Sequence, residues 1–301
     1  MDHIKLKAYA KINLALDVTG RRDNGYHDVR MIMQSINLYD ELLIFRISKD
    51  DMDDSRRIII ETDSSEIPDN EDNLVYKAAK LFMDECGTEN GVRIVLKKNI
   101  PVAAGMAGGS TDAAAVLKGM NSLFELELTQ ERLCEMGVKI GADVPYCIMG
   151  GTALSEGIGE ILTPLHPMPE CTILVAKPDI SVSTGYVYTT FDSLSEKRHP
   201  DVDAMISAID RGDIMEISKM LGNSLEGVTQ EEYPIIKNIK KTMLGNNAMG
   251  ALMSGSGPTV FGLFDDRKKA EAAAEELKRA SVVKDLFLTE PYNIKDQRIS
   301  H

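Results

Sequence analysis

The chain has 301 residues, of which 43% are hydrophobic, and its 47 acidic against 34 basic side chains give a formal net charge of -13. This length allows roughly two domains of ordinary size, whereas the acidic excess argues against a nucleic-acid partner, which needs a basic stripe for the phosphate backbone. No stretch approaches the roughly 20 apolar residues of a membrane span, so we expect a cytoplasmic protein with no membrane partner.

The cysteines are too far apart in the sequence to suggest a metal site. They lie at Cys86, Cys134, Cys147 and Cys171, with no CxxC pair and no histidine at ligand spacing. We interpret them as buried thiols in a reducing compartment.

The first part of the chain has the two-residue period of strands. Residues 4–18 alternate apolar and polar side chains, which predicts a half-buried strand, and Asn24-Gly25 is suited to a turn within 19–29. Apolar residues at helical spacing over 73–87 predict a helix that ends at Gly87. Further strands are predicted at 29–36, 41–47, 57–61 and 92–98, and the charged segment 49–57 is interpreted as a solvated hairpin loop between two of them.

Helices become more frequent after residue 100. We predict helices over 110–124, with Ser110 or Thr111 near the N-cap, and over 129–140, followed by an extended segment at 152–160. A second α+β layer then begins, which places a domain boundary near residue 160. Its strands are predicted at 172–178, 250–255, 259–264 and 283–289, its helices at 184–191, 201–221, 230–244 and 266–280, and the end of the chain, 293–301, as a loosely ordered tail.

A glycine-rich segment, PVAAGMAGGSTDAAA at 101–115, leads into the first of these helices. Small residues there let an anion approach backbone N–H groups at the positive end of the helix dipole, which suggests phosphate binding. A tight strand-to-helix connection explains the same glycines about equally well. The segment is not a Walker A loop, and the chain lacks the HRD and DFG motifs of protein kinases.

Three other segments contain polar residues that suggest a site. Lys11 and Asn13 share one face of the first strand, where a solvated surface is the ordinary alternative. Asp143 is a lone carboxylate among small and apolar residues, so it either has a partner or caps a helix. The apolar segment 251–264 is broken by SGSGP at 254–258, which indicates a hairpin turn or a second glycine turn over phosphates.

Taken together, four motifs in this order and at these separations resemble those of the GHMP small-molecule kinases. They are AKINLALDV, PVAAGMAGGSTDAAA, GADVPY and LMSGSGPTVFGLF, and the resemblance spans about residues 5 to 265. It implies an α+β, two-domain GHMP kinase fold. The N-terminal ATP-binding domain (1–160) would resemble the second domain of ribosomal protein S5, and the C-terminal substrate-side domain (161–301) would be ferredoxin-like.

The resemblance assigns the catalytic chemistry to particular residues. Asp143 corresponds to the proposed catalytic base, which would accept the proton of a substrate hydroxyl. Lys11 corresponds to its charged neighbour, which would keep the carboxylate ionised and offset charge near the γ-phosphate. Asn13 would orient the substrate hydroxyl or Lys11.

The resemblance also implies ATP and Mg²⁺ as cofactors. A hydroxyl of the loop, Ser110 or Thr111, is the metal ligand that we expect, with Ser110 preferred. Lys98, just before the loop, is either a phosphate or adenine contact or a solvated strand end. The phosphates of ATP are expected to bind along Pro101, Val102, Ala103, Ala104, Gly105, Met106, Ala107, Gly108, Gly109, Ser110 and Thr111.

Within the family, the resemblance implies a small-molecule substrate that carries a cytidine diphosphate. Tyr26, His27, Thr184 and Tyr188 align with residues that hold the base, and two aromatic rings could stack on a pyrimidine. If these residues bind no base, Tyr26 is a loop tyrosine that covers the edge of the core and His27 is a surface histidine. The chain departs from the family at Ala103-Ala104, where glycines are usual, and at Tyr188, where phenylalanine is common.

We therefore expect ATP-dependent phosphorylation of an alcohol on that substrate. One alternative is a GHMP kinase that acts on another small alcohol, such as homoserine, mevalonate or a sugar. Another is a non-catalytic nucleotide-binding protein on the same scaffold. The sequence gives no indication of the oligomeric state.

Overall fold

The computed structural model describes residues 2–51 and 57–294. The chain divides into two compact units, each built from several stretches. Unit 1 comprises Met1–Ala10, Leu38–Val102 and Ala107–Met149, and unit 2 comprises Lys11–Asn37, Ala103–Met106 and Gly150–His301. Two long strands, β1 (His3–Arg21) and β2 (His27–Ile47), each continue from one unit into the other.

Unit 1 is a sheet covered by helices. Its own strands are β3 (Ile58–Thr62) and β4 (Gly91–Lys97), and its helices are α1 (Leu74–Cys86), α2 (Gly108–Leu123), α3 (Gln130–Val138) and α4 (Val144–Met149). β4 lies between β2, to which it is antiparallel, and β3, to which it is parallel. Buried strand residues such as Leu42 and Ile94 join helix residues such as Phe82 and Val116 in one core.

Local signals explain where α1 and α3 begin. The side chain of Asn73 accepts the N–H of Val75, and Thr129 accepts the N–H of Arg132 in the same way. α1 ends at Gly87, whose φ of 64° lies in the left-handed region that glycine tolerates. Both helices therefore confirm the predictions over 73–87 and 129–140.

α2 begins earlier than predicted and has no side-chain cap. Its N-cap is Ala107, with a φ of 58°, rather than Ser110 or Thr111. Thr111 lies inside the first turn, where its hydroxyl donates a 2.8 Å hydrogen bond to the carbonyl of Tyr9. The predicted cap is wrong because α2 begins after Ala107, whose side chain cannot accept a hydrogen bond, so the first N–H groups of the helix have no side-chain cap.

Unit 2 contains a four-stranded antiparallel sheet. Its strands are β7 (Thr172–Lys177), β9 (Gly250–Met253), β10 (Val260–Phe264) and β11 (Asp285–Thr289), in the spatial order β11-β7-β10-β9. Helices follow β7 and β10, so the chain has the βαββαβ succession of a ferredoxin-like layer. Leu174, Ile239 and Phe264 are fully buried in its core.

The described residues of unit 2 also form three short strands, which pair with the two long strands or with each other, and six helices. β2 pairs antiparallel with β5 (Thr152–Glu156), β5 pairs with β6 (Ile161–Pro164), and β1 pairs in parallel with β8 (Gly222–Asn223). The helices of the unit are α5 (Thr184–Asp192), α6 (Val202–Asp210), α7 (Ile214–Met220), α8 (Glu226–Glu232), α9 (Pro234–Gly245) and α10 (Arg267–Arg279).

Several predicted elements differ from the structure. The strands predicted at 29–36 and 41–47 are one strand, β2, and the helix predicted at 201–221 is two helices, α6 and α7. The helix predicted at 230–244 corresponds to α9 and includes the end of α8. Gly212, with a φ of 63°, separates α6 from α7. The hairpin predicted around 49–57 is also wrong, because β4 lies between β2 and β3, and residues 52–56 lie outside the described part of the chain.

The predicted domain boundary and the predicted C-terminal tail are not tested in full. The boundary near residue 160 stays a prediction, and most of the predicted tail, 295–301, lies outside the described residues. Its beginning is ordered, since the side chain of Asn293 donates a 2.9 Å hydrogen bond to the carbonyl of Met168. Among the described residues, none of the helices has the length and apolar character needed to cross a membrane.

Candidate active site

Lys11 and Asn13 are buried together on β1. The ammonium group of Lys11 donates a 2.7 Å hydrogen bond to Asn13 Oδ1, and the two residues are 4% and 0% exposed. The amide group of Asn13 in turn donates to the sulfur of Met31 at 3.5 Å. The solvated alternative for Lys11 is therefore excluded, and among the described residues no carboxylate forms an ion pair with it.

The glycine-rich loop leaves its backbone N–H groups available. None of the N–H groups from residue 103 to residue 110 donates to another backbone atom of the described chain, and no side chain caps α2. Unsatisfied N–H groups at the start of a helix carry the positive end of its dipole, which attracts anions. This arrangement favours the phosphate interpretation of residues 101–111 over a simple tight connection.

The two alanines that replace family glycines behave differently from each other. Ala103 has a φ of 52°, in the left-handed region, whereas Ala104 is 3% exposed and has no positive φ. Alanine ordinarily keeps a negative φ, so Ala103 departs from the usual conformation of its residue type. Ala103 therefore has a backbone conformation that glycine adopts easily. Because alanine has a Cβ, this conformation strains the backbone.

The second glycine turn contacts the first within unit 2. The hydroxyl of Ser254 donates a 3.0 Å hydrogen bond to the carbonyl of Gly105. A Cβ on Gly105 would lie 2.5 Å from the carbonyl oxygen of Ser254, and its φ is 70°, so only glycine fits this position. Asn223 holds the turn from its other side by donating to the carbonyls of Met253 and Gly255.

Ser110 and Asp143 are two polar side chains of unit 1 that are available to a ligand. Neither the hydroxyl of Ser110 nor the carboxylate of Asp143 has a hydrogen-bond or ion-pair partner among the described residues. Asp143 directly precedes α4, but its side chain accepts no N–H group of the described chain, so the alternative of a helix cap has no support. The Thr111 hydroxyl is already bound to Tyr9, which leaves Ser110 as the available loop hydroxyl.

Lys98 belongs to a buried charge cluster that the sequence did not reveal. Its ammonium group binds Asp40 and, at 2.7 Å, Asp112, and both aspartates are at most 2% exposed. Burial lowers the pKa of Lys98, but the two carboxylates raise it by more, so the net shift is upward. Asp40 also accepts the N–H groups of Asn99 and Ile100 at the start of the glycine-rich loop. Lys98 is therefore neither solvated nor free to reach a phosphate.

Burial has the opposite effect on Asp112. It raises the pKa of the Asp112 carboxyl well above 3.8, although Lys98 acts against this shift. One oxygen of Asp112 has no hydrogen-bond partner among the described residues. Two carboxyls share a single lysine, so a proton on Asp112 leaves the cluster neutral.

Of the residues predicted to hold the pyrimidine base, His27 lies on β2, and Thr184 and Tyr188 lie on α5, all in unit 2. The rings of His27 and Tyr188 are in contact, with centroids 4.7 Å apart and an angle of 35° between their planes. Tyr26 is 57% exposed on the turn before His27. Thr184 forms a 2.9 Å hydrogen bond with Ser256 of the second glycine turn. The structure therefore brings His27, Tyr188 and Thr184 into defined contacts and leaves the Tyr26 ring accessible.

Family models identify the class of protein. The chain matches the model of the GHMP kinases N terminal domain over residues 73–151 and that of the GHMP kinases C terminal domain over residues 205–283. The chain belongs to the GHMP kinase family and has the family's two-domain fold of mixed helices and sheets. GHMP kinases are ATP-dependent small-molecule kinases that generally use a divalent metal.

The similarity extends to relatives with one particular name. The 4-diphosphocytidyl-2-C-methyl-D-erythritol kinase of Lachnoclostridium phytofermentans is 52% identical over 98% of this chain and 100% of its own. That of Caldicellulosiruptor bescii is 51% identical over 95% of this chain and 97% of its own. A crystal structure of 4-(cytidine 5'-diphospho)-2C-methyl-D-erythritol kinase matches with a TM-score of 0.81 and 32% identity, covering 97% of this chain and 100% of that one. A homoserine kinase structure from Cytophaga hutchinsonii, at 20% identity and a TM-score of 0.75, covers 96% of this chain and 95% of that one and is similar in fold alone.

Proposed function

We propose that this chain transfers the γ-phosphoryl group of ATP to the 2-hydroxyl of 4-diphosphocytidyl-2-C-methyl-D-erythritol, a step of the non-mevalonate route to isoprenoid precursors. The observation that carries the proposal is the similarity, over nearly the whole chain, to relatives that bear the name of this kinase. Homoserine and mevalonate kinases share the fold at much lower identity, which makes them weaker candidates.

In this proposal Asp143 is the general base. Its carboxylate has no partner among the described residues and can therefore accept a hydrogen bond from the substrate hydroxyl. Accepting the proton as the oxygen attacks phosphorus contributes about 10²- to 10⁴-fold where such catalysis has been measured. Because phosphoryl transfer has a loose transition state, orientation of the hydroxyl contributes alongside proton transfer.

Lys11 is proposed to stabilise negative charge that develops during the transfer. Its ammonium group is buried and, in the described chain, is not neutralised by a carboxylate, so its charge is available to the phosphate and the alkoxide oxygen. Asn13 accepts one of its three N–H groups and so fixes the direction of the side chain. The other two N–H groups can then bind the reacting oxygens.

ATP and Mg²⁺ fit the residues of the loop. The available N–H groups of residues 103–110 suit the phosphate oxygens, and the Ser110 hydroxyl suits the metal. The described residues contain no group of three His, Cys, Asp or Glu that could hold a metal alone, which agrees with Mg²⁺ that relies on substrate phosphates for most of its ligands. When bound, the metal ion would neutralise charge on the β- and γ-phosphates.

The cytidine end of the substrate is proposed to bind at Tyr26, His27, Thr184 and Tyr188. Tyr188 and His27 already form one aromatic surface, and the exposed ring of Tyr26 can cover the other face of a pyrimidine. Stacking contributes about 1 to 3 kcal/mol per base in nucleic-acid-binding proteins. A tyrosine at 188 in place of the usual phenylalanine keeps this stacking surface.

A substrate panel distinguishes this function from its alternatives. The purified chain with Mg·ATP is supplied in turn with 4-diphosphocytidyl-2-C-methyl-D-erythritol, homoserine and mevalonate, and ADP release is measured. We expect turnover with the first compound alone and competitive inhibition by CMP and CDP. Turnover of another alcohol without competition by CMP would favour the alternative kinases, and no turnover at all would favour a nucleotide-binding protein.

The cytoplasm is the compartment in which we propose that this reaction occurs. The four cysteines are present as thiols, each half-buried rather than fully buried as the sequence had suggested. Burial raises the pKa of the Cys171 thiol to about 12. Thiols in this state are typical of a reducing compartment.

A further inference from the structure

We propose that Asp192 is a positioning residue for the base pocket, by which we mean the residues proposed to bind the cytosine ring. It would hold His27 and the turn that contains Tyr26 against helix α5. The inference rests on the proposed function, because it concerns how the same site binds the cytidine end of the substrate. Asp192 lies outside the four motifs that point to the family, and its role follows from its contacts alone.

The carboxylate of Asp192 binds both ends of one turn. One oxygen lies 2.9 Å from Nε2 of His27, the first residue of β2, and the other lies 3.3 Å from the guanidinium group of Arg21, the last residue of β1. Residues 22–26, including Tyr26, connect these two positions. One side chain of α5 therefore fixes the turn at its entry and at its exit.

The same helix face carries two of the residues proposed to touch the substrate. Thr184, Tyr188 and Asp192 are spaced four residues apart on α5, and residues at this spacing lie on one side of a helix. His27 thus contacts α5 twice, through its ring against Tyr188 and through Nε2 with Asp192. The second contact prevents the imidazole from rotating about its side-chain bonds, so the stacked surface of His27 and Tyr188 stays assembled.

The position of Asp192 in the helix indicates that packing of α5 does not require it. It is the last residue of α5, where the negative end of the helix dipole disfavours a carboxylate, and no basic residue lies in that last turn. Its pair with Arg21 is open to solvent, since the side chain of Arg21 is 63% exposed, and such ion pairs contribute little to stability. Loss of the carboxylate should therefore affect the pocket more than the fold.

The test compares substrate affinity with ATP affinity in Asp192→Ala and Asp192→Asn. The probes are CMP in isothermal titration calorimetry and the cytidine substrate and ATP in steady-state kinetics. For Asp192→Ala we expect the Kd of CMP and the KM of the substrate to rise about tenfold, which equals about 1.4 kcal/mol and lies within the contribution of one stacked base. The KM of ATP and kcat should stay within about twofold. Asp192→Asn should lose less, because its amide oxygen still accepts a hydrogen bond from His27.

A matched control exists in the same unit. Asp210 is the last residue of α6 and its carboxylate lies 2.8 Å from Nδ1 of His166, but no aromatic ring of the proposed pocket is involved. Asp210→Ala should leave all four constants unchanged, and the melting temperature of each variant is measured to check that it is folded.

The inference is overturned if both Asp192 variants keep the Kd of CMP, or if they lose affinity for CMP and ATP equally. A wild-type protein that turns over the cytidine substrate while both variants keep its constants contradicts this inference alone. A wild-type protein that neither binds CMP nor turns over the substrate contradicts the proposed function, and this inference with it.

Discussion

Asp143 is the residue for which the proposed chemistry makes the sharpest demand. Replacing it by asparagine keeps the shape but removes the proton acceptor, so we expect Asp143→Asn to lower kcat by about 10²- to 10⁴-fold. The Kd of ATP, measured by calorimetry, should stay nearly unchanged, because the role of Asp143 belongs to the transition state. The matched control is Asp201→Asn, since Asp201 caps α6 through the N–H of Ala204 and asparagine caps equally well. An unchanged kcat in Asp143→Asn would refute the role of Asp143 as general base.

Asp112 predicts a dependence of stability on pH. Burial raises its pKa above 3.8 in the folded chain, so between that value and the folded pKa the native state holds a proton that the unfolded chain releases. Stability from this group is therefore present at low pH and lost as the pH rises through the folded pKa. The variant Asp112→Asn has no carboxyl to ionise at this position, so it should not lose this stability as the pH rises. Its melting temperature relative to that of the wild type should therefore increase from pH 4 towards neutral pH.

The control for this pH series is Asp84→Asn, which removes a carboxylate that is 59% exposed on α1. Its difference from wild type should stay small at every pH. A difference between Asp112→Asn and wild type that is the same at pH 4 and pH 8 would mean that folding does not raise the pKa of Asp112.

Ala103 predicts a stabilising substitution in the loop. A left-handed conformation costs a residue with a Cβ about 1 to 2 kcal/mol, and glycine removes this cost while adding entropy to the unfolded chain. Since Ala103 has a φ of 52°, we expect Ala103→Gly to raise the free energy of unfolding in urea by about 0.5 to 1 kcal/mol. Ala104→Gly, at a neighbouring residue without positive φ, should lower it. Equal losses in both variants would contradict the argument.

Which residue contacts could be predicted depended on their distance in sequence. The shared face of Lys11 and Asn13 follows from the two-residue period of a strand and is predicted, and their contact agrees with one of the two roles proposed for Asn13. The cluster of Asp40, Lys98 and Asp112 joins residues 58 and 14 positions apart and was not predicted, because only the folded sheet and α2 bring them together. The positive φ of Ala103 was missed because alanine itself favours the opposite conformation.

The glycine-rich loop and the second glycine turn pack against each other at Gly105, so a substitution there tests whether ATP binding depends on this contact. A Cβ there would lie 2.5 Å from the Ser254 carbonyl oxygen, so Gly105→Ala must displace the loop. We expect kcat/KM for ATP to fall by about tenfold to a hundredfold, as for other small displacements of binding groups. Gly227→Ala in α8, where a Cβ would meet no atom within 4 Å, serves as the control and should keep the wild-type value. An active Gly105→Ala enzyme with unchanged ATP constants would contradict the coupling.

At the scale of elements, prediction succeeded where local signals mark an end. α1 has both an asparagine cap and a terminal glycine, and it begins and ends as predicted. β2 was divided in two because Asn37 to Asp40 is polar enough to suggest a turn, although Asp40 is in fact buried by its contacts with the loop. Gly212 separates α6 from α7 and Pro234 begins α9, and helical periodicity alone indicates neither boundary.

At the scale of the whole molecule, the motifs predicted the class and the GHMP fold better than the periodicity did. Four short segments, far apart in sequence, carry the site, and each contains glycine, proline or a polar residue that its element alone does not require. The discontinuous units could not be predicted, because β1 and β2 each belong to both. Strand periodicity indicates neighbouring side chains within a strand but not which unit the strand joins.

The position of the transferred phosphate is the most direct test of the proposed activity. In 4-diphosphocytidyl-2-C-methyl-D-erythritol the carbon that bears the 2-hydroxyl also bears the methyl group and has no hydrogen, so a phosphate there has no proton three bonds away. A proton-coupled ³¹P NMR spectrum of the reaction with Mg·ATP should therefore show a new phosphomonoester as a singlet, together with ADP. No phosphomonoester, or one split by a proton on its own carbon, would contradict the account.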